Sequence, residues 1–280
     1  MKRALRNGSI ALFLCILSSL PVFAQGTGAL QFRWSKGQVL TYRVEHQTTV
    51  IDTANGTRSE ASSKLNLIKR WQVTDVDARN VATLQLSLMS LRQEQKRTNG
   101  ETLLFDSSNL AASTPELREQ LAQHIGKTVA MVRMDGMGRV IEVLQGVANR
   151  YESELPFVVA LPAAPPRQGL AWQRAYNVTL DPPFGAGEKY PVTQTCQIAG
   201  LADGKATITM TTQFSNLPQS TADQVPLLQK QPAGQVVFDL QSGRLVSARL
   251  SIDKTLEKHQ GEGSSYRFQS RYSEELVPGP

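Results

Sequence analysis

The chain has 280 residues, a formal net charge of +6, two cysteines and 40% hydrophobic residues, enough to build one large or two modest cores. Three of its 30 basic residues are Lys2, Arg3 and Arg6, and the rest of the chain sets 27 basic residues against 24 acidic ones. That balance excludes a strongly cationic nucleic-acid binder: the tight basic clusters Lys69-Arg70 and Lys96-Arg97 lack the interleaved aromatics of an RNA-binding strand.

Residues 1–24 read as a cleavable signal peptide. Lys2, Arg3 and Arg6 precede the apolar run Ile10 to Leu17, Pro21 breaks any helix, and Val22-Phe23-Ala24 presents a cleavage site after Ala24. The apolar run is shorter than the roughly 20 residues that span a bilayer. The expected product is exported, periplasmic or extracellular, with no transmembrane segment. Leu14, which precedes Cys15, does not fit a lipoprotein signal. Cleavage removes Cys15 and leaves Cys196 alone, so no internal disulfide can form. Cys196 lies in an alternating segment that predicts a buried thiol.

Along the rest of the chain apolar residues recur with period two, the signature of strands with one buried face. Leu40, Tyr42 and Val44 share a face, as do Leu84, Leu86 and Leu88, then Ala206, Ile208 and Met210, and finally Tyr266 and Phe268. Asp75 to Asn80 reads as a hairpin turn rather than a calcium loop, because it lacks the central glycine and distal glutamate. Two further hairpins are specified by their turns: Asp135-Gly136-Met137-Gly138 before Arg139-Val140, and Gln241-Ser242-Gly243 before Arg244-Leu245. One helix is predicted near 113–126, capped by Ser113 or Thr114, with Pro115 in its first turn, Leu117, Leu121 and Ile125 on one face, and Gly126 at its end. A second is predicted over Leu144 to Leu155.

Pro156, Pro162, Pro165 and Pro166 make 156–169 the connection between two β-rich halves, 25–155 and 170–280. The halves look alike in order. Gly37 to Tyr42, Ala82-Thr83-Leu84 and Gly138-Arg139 are answered by Gly169 to Tyr176, Ala206-Thr207-Ile208 and Gly243-Arg244, which suggests a degenerate internal repeat. The expected fold is mainly β, with curved antiparallel sheets in two similar halves and minor helix.

Catalytic signatures are sparse. His46, His124 and His259 have no partner at metal-ligand spacing, and the chain holds no Gly-x-Ser-x-Gly elbow, no His-Glu-x-x-His, no phosphate loop and no dinucleotide fingerprint, so no metal or cofactor is expected. Ser251-Ile252-Asp253-Lys254 matches Ser-x-x-Lys, but strand alternation turns Ser251 and Lys254 to opposite faces.

The segment Trp34-Ser35-Lys36-Gly37-Gln38-Val39-Leu40-Thr41-Tyr42, the long alternating hairpins and the Gly138-Arg139-Val140 turn resemble a family of exported bacterial proteins of unknown function. The resemblance implies an envelope location and a β-rich fold and carries no catalytic residues. At the level of fold, a curved antiparallel sheet with a helix on one face is similar to the periplasmic lipoprotein-carrier architecture. The sequence therefore points to a non-enzymatic exported protein that binds a lipid or other hydrophobic ligand, or an envelope protein, through a concave sheet face. Trp34, Tyr42, Trp71 and Trp172 are the candidate ligand-binding aromatics, with core packing as their other role. The alternative is an exported hydrolase assembled from distant positions, Cys196 or a serine acting with His46 or His259.

Overall fold

The computed structural model describes residues 29–147 and 150–278. The predicted signal peptide, 1–24, lies outside them. The described residues open with an extended segment, Leu30 to Trp34, and enter the long strands β1 (Val39–Ala54), β2 (Thr57–Val76) and β3 (Ala82–Lys96). The short β4 (Thr102–Asp106) folds back on β3, α1 (Pro115–Leu121) follows, and β5 (Thr128–Met134) and β6 (Val140–Gln145) complete the first series. After α2 (Arg150–Ser153) come β7 (Ala171–Leu180), β8 (Glu188–Ala202), β9 (Lys205–Phe214), α3 (Thr221–Leu228), β10 (Ala233–Asp239), β11 (Arg244–Glu257) and β12 (Ser265–Val277).

The fold is mainly β, as expected, and the strands described form one 12-stranded antiparallel sheet in the order β6-β5-β3-β2-β1-β12-β11-β10-β9-β8-β7, with β4 off the path on β3. From β1 in the middle of the sheet the path works outward to β6, crosses to the opposite edge at β7 and returns to the middle at β12. Bulges at Ile68/Lys69, Leu86/Ser87, Ile198/Gly200 and Val237/Phe238 interrupt the register, and such bulges add twist that curls a wide sheet.

One face of the sheet, the inner face, holds the main core. Tyr42, Trp71, Leu84, Val132, Ile198, Ile208, Phe238 and Ala248 are buried there, drawn from both series of strands. The core sits at one end of the strands, the base, and two segments without ladder structure plug it. Phe157, Val159 and Leu161 of the proline-rich crossover are buried in it, and Trp172 donates its indole N–H to Ala160 O at 2.7 Å. Leu30 and Phe32 enter from the N-terminal side, where Phe32 N donates to Gly136 O and Arg33 N to Gly243 O. The two predicted Gly-Arg turns thus grip the same segment. Gly138 and Gly243 have φ of +80° and +63°, and a Cβ on them would lie 2.7 Å from Phe32 Cε2 and from Arg33 N; both conformation and space require glycine.

The helices depart from expectation in three ways. Thr114 stands at the N-cap of α1, but its hydroxyl accepts from Leu104 N and that of Ser113 from Asp106 N, so both fasten the helix to β4 instead of capping it. The predicted helix over Leu144 to Leu155 shrinks to Arg150–Ser153, because Val140, Val143 and Leu144 belong to β6 and Gly146, at φ +109°, ends that strand. The unpredicted α3 starts at Ser220, whose hydroxyl accepts from Asp223 N, and contains Pro226, which reads locally as a loop residue.

Candidate functional site

The four aromatics named from the sequence line the base of the interior. Trp34, Tyr42 and Trp71 are buried and pack around Phe157, with ring centres 5.7, 5.8 and 5.7 Å from it. Tyr42 also donates its hydroxyl to Leu245 O at 2.9 Å. Trp172 is half-buried at the edge of the same core.

Beyond the core the inner rows of β1, β2 and β12 continue toward the hairpin tips, and their register builds a polar belt. Val44 pairs with Glu274, His46 with Tyr272 and Thr48 with Ser270. Glu274 is fully buried: Lys69 Nζ lies 2.8 Å from its Oε1, and Tyr272 donates its hydroxyl to its Oε2 at 2.5 Å. Burial first, and the Glu274 charge second, hold the Tyr42 and Tyr272 hydroxyls well above the ordinary tyrosine range. One step outward, His46 Nε2 and Ser270 Oγ are 2.9 Å apart, and the imidazole stands edge-on to Tyr272. Burial lowers the His46 pKa from its ordinary value, so the ring is neutral at neutral pH.

Farther out the inner face is less completely covered. Its floor is formed by Thr48 and Val50 of β1 and by Ala61, Ser63 and Leu65 of β2, all half-buried. One bank is the cluster Leu91, Leu103, Phe105 and Leu117, by which α1 packs on the sheet. The other is Ile252 and Phe268 with Leu228 from α3, extended by Leu256 and Tyr266. At the tip, the turn after β11 folds inward and places His259 Nε2 3.1 Å from Asp52 Oδ1, against the Tyr266 ring. The inner face is therefore closed by core at the base, polar at mid-height and half-exposed, apolar and hydroxyl-bearing above.

The groups proposed for a hydrolytic site are dispersed. His46 lies in the belt, His259 at the tip, and His124 is exposed at the end of the turn after α1. Cys196 is buried between its register partners Trp172 and Met210. Burial pushes its thiol up to about 12, only partly opposed by Arg174, so the nucleophilic thiolate is suppressed. The native protein is expected to react with a disulfide reagent such as DTNB far more slowly than the urea-unfolded chain; equal rates would show that Cys196 is accessible. Ser270 does contact a histidine. Among the described residues, however, no carboxylate bonds His46, and β12 is paired on both sides, by β1 and β11, which commits its amides to ladders instead of an oxyanion site. No cluster of three or more His, Cys, Asp or Glu suited to a metal occurs among the described residues.

The outer face is charged. One shallow depression is lined by Arg43, Glu45, Arg249, Ser273 and Glu275, and a second, at the β2–β3 bulge, joins Arg43, Glu45, Arg92 and Asp106 to the apolar Leu67, Ile68 and Leu91. A transmembrane barrel instead turns an apolar band to lipid. No helix among the described residues is long and apolar enough to cross a membrane.

No protein-family model and no curated protein matches the sequence. Among solved structures, the chain is similar to lipovitellin, studied for its lipid–protein interactions, at 14% identity and TM-score 0.47 over 88% of this chain and 26% of that one. It spans about a quarter of the lipovitellin chain. A COG4313 outer membrane channel from Pseudomonas putida F1 aligns at 11% identity and TM-score 0.25, covering 90% of this chain and 98% of that one. A DUF1329 family protein from Desulfovibrio piger aligns at 10% identity and TM-score 0.16, over 87% and 88%. Likeness at these scores assigns no function, and the site rests on its own geometry.

Proposed function

We propose that this chain is an exported, non-enzymatic binding protein that shelters a hydrophobic ligand, of lipid type, in a trough on its inner face. The supporting observation is that the inner face does not stop at the packed core. Val50, Leu65, Leu256 and Tyr266 carry the apolar surface outward between α1 and α3 but are only half-buried, and such concave apolar surface flanked by a few polar groups is the usual form of a small-molecule site. Trp34, Tyr42, Trp71 and Trp172 close the base behind the polar belt. The outward charge suits a protein that stays in water while its interior holds the ligand.

Native mass spectrometry of the protein purified from its host compartment, followed by displacement of a fluorescent polyene fatty acid, tests this reading. The wild type is expected to bind the probe, and the double variant Val50→Glu, Leu65→Glu to lose binding by at least about tenfold, because each carboxylate would have to be desolvated beside an acyl chain. Val50 packs against the Ile252–Phe268 cluster and Leu65 against the Leu91–Phe105 cluster, so the melting temperature is measured alongside and the loss of binding is read on folded protein. A clean apo mass with no probe binding by the wild type would overturn the proposal.

A further inference from the structure

Resting on that reading, we infer that the trough selects a lipid with an uncharged polar end, such as a fatty alcohol, monoacylglycerol or ester, over the chain-matched carboxylate, and that His46 and Ser270 hold this end. The inner limit of the trough is where apolar floor gives way to hydrogen-bonding groups: Thr48, Ser270 and His46 stand next to Val50, Phe268 and Leu65 in the register. A chain lying along the floor therefore meets these groups with whichever end points to the base.

The charge available there decides what that end can be. Lys69 is engaged by Glu274, and Glu274 also accepts from Tyr272. The charged groups approaching from the helical side are likewise paired, with Glu154 bound by Arg150 at 2.9 Å and by Lys230 at 3.1 Å. An incoming carboxylate would be placed near the buried Glu274 charge and would have to compete for a cation already in use. Ser270 is buried and its hydroxyl is bonded to His46 Nε2, so a ligand hydroxyl or carbonyl would join this existing pair, whose members donate or accept without any change in charge. Lys254, exposed on the inner row of β11, stands opposite Phe268, one register step toward the tips from Ser270, so a carboxylate end that used this ammonium would lie outside the His46–Ser270 pair.

Competition by 1-monomyristoylglycerol and by myristate at pH 8, against the same fluorescent probe, tests the inference. Monomyristoylglycerol is expected to bind about tenfold more tightly, the equivalent of roughly one net hydrogen bond. The double variant His46→Leu, Ser270→Ala should reduce that preference to within about threefold, each lipid being referred to the variant's own affinity for the probe. Ser270→Ala alone, which removes one oxygen, supplies the comparison if the double variant does not fold, and should lose at least half of the preference. Equal or tighter binding of myristate to the wild type would overturn the assignment of the polar end while leaving the trough in place. Failure of both lipids and the probe to bind would overturn the trough itself.

Discussion

Replacing Phe157 by alanine is expected to destabilise the fold by about 3–5 kcal/mol, the range for deleting a buried aromatic from a close-packed core. Phe157 is 1% exposed, and its ring lies within 5.3–5.8 Å of those of Phe32, Trp34, Tyr42 and Trp71. These neighbours come from the N-terminal segment, β1 and β2, while Phe157 itself comes from the crossover that joins opposite edges of the sheet. Its removal therefore opens a cavity where three parts of the chain meet, and the neighbours cannot collapse into it without moving a ladder. Guanidinium denaturation measures the loss. Phe184→Ala serves as the control, since that ring is 64% exposed and surface truncations usually stay within about 0.5 kcal/mol. A loss below about 1.5 kcal/mol for Phe157→Ala would mean that the crossover is not an integral part of the core.

The crossover also shows where sequence reading succeeds and where it stops. Four prolines correctly mark 156–169 as a stretch that joins no ladder, because proline lacks the donor a strand needs. They do not reveal that Phe157, Val159 and Leu161 are buried, since that depends on a cavity built by strands far away in sequence. The long strands were legible because period-two alternation is a local property of a half-buried sheet, and the 135–139 and 239–244 turns were legible because left-handed backbone demands glycine. α3 was not, because Pro226 sits inside it and its burial comes from Leu227 and Leu228 packing on other elements. Leu144 misled in the opposite direction: spacing with Val147, Tyr151 and Leu155 imitates a helix, while the pairing of its neighbours Val143 and Gln145 with β5 holds it in a strand.

The site was legible only in part. Alternation put Tyr42 on one face with Leu40 and Val44, and the structure buries that face at the base of the interior, together with Trp71. The belt above them could not be read, because its members touch across the central β1–β12 pairing. His46 and Ser270 are 224 positions apart, and that pairing joins the start of the chain to its end, so no local spacing encodes it. The same residues look isolated in a linear search for catalytic spacing, which is why His46 reads there as a lone histidine.

Lys69→Met is expected to be as damaging as the loss of Phe157, about 3–5 kcal/mol, for an electrostatic reason. The Glu274 side chain is 0% exposed and that of Lys69 13%, so removing the ammonium leaves a carboxylate in the interior with only the Tyr272 hydroxyl to stabilise it. Glu274→Gln should be milder than Glu274→Leu, because the amide oxygen still accepts from Tyr272. The pair as a whole is a different matter from either half: desolvating two charges offsets most of their attraction. The double variant Lys69→Met, Glu274→Leu should therefore recover at least about half of the loss seen with Lys69→Met alone, and a double-mutant cycle by chemical denaturation reads this coupling directly. If the double variant is as unstable as the sum of the singles, the two residues act independently and the contact is incidental. Strong coupling would instead show that a mutually compensated charge pair is built into the inner face directly behind His46 and Ser270.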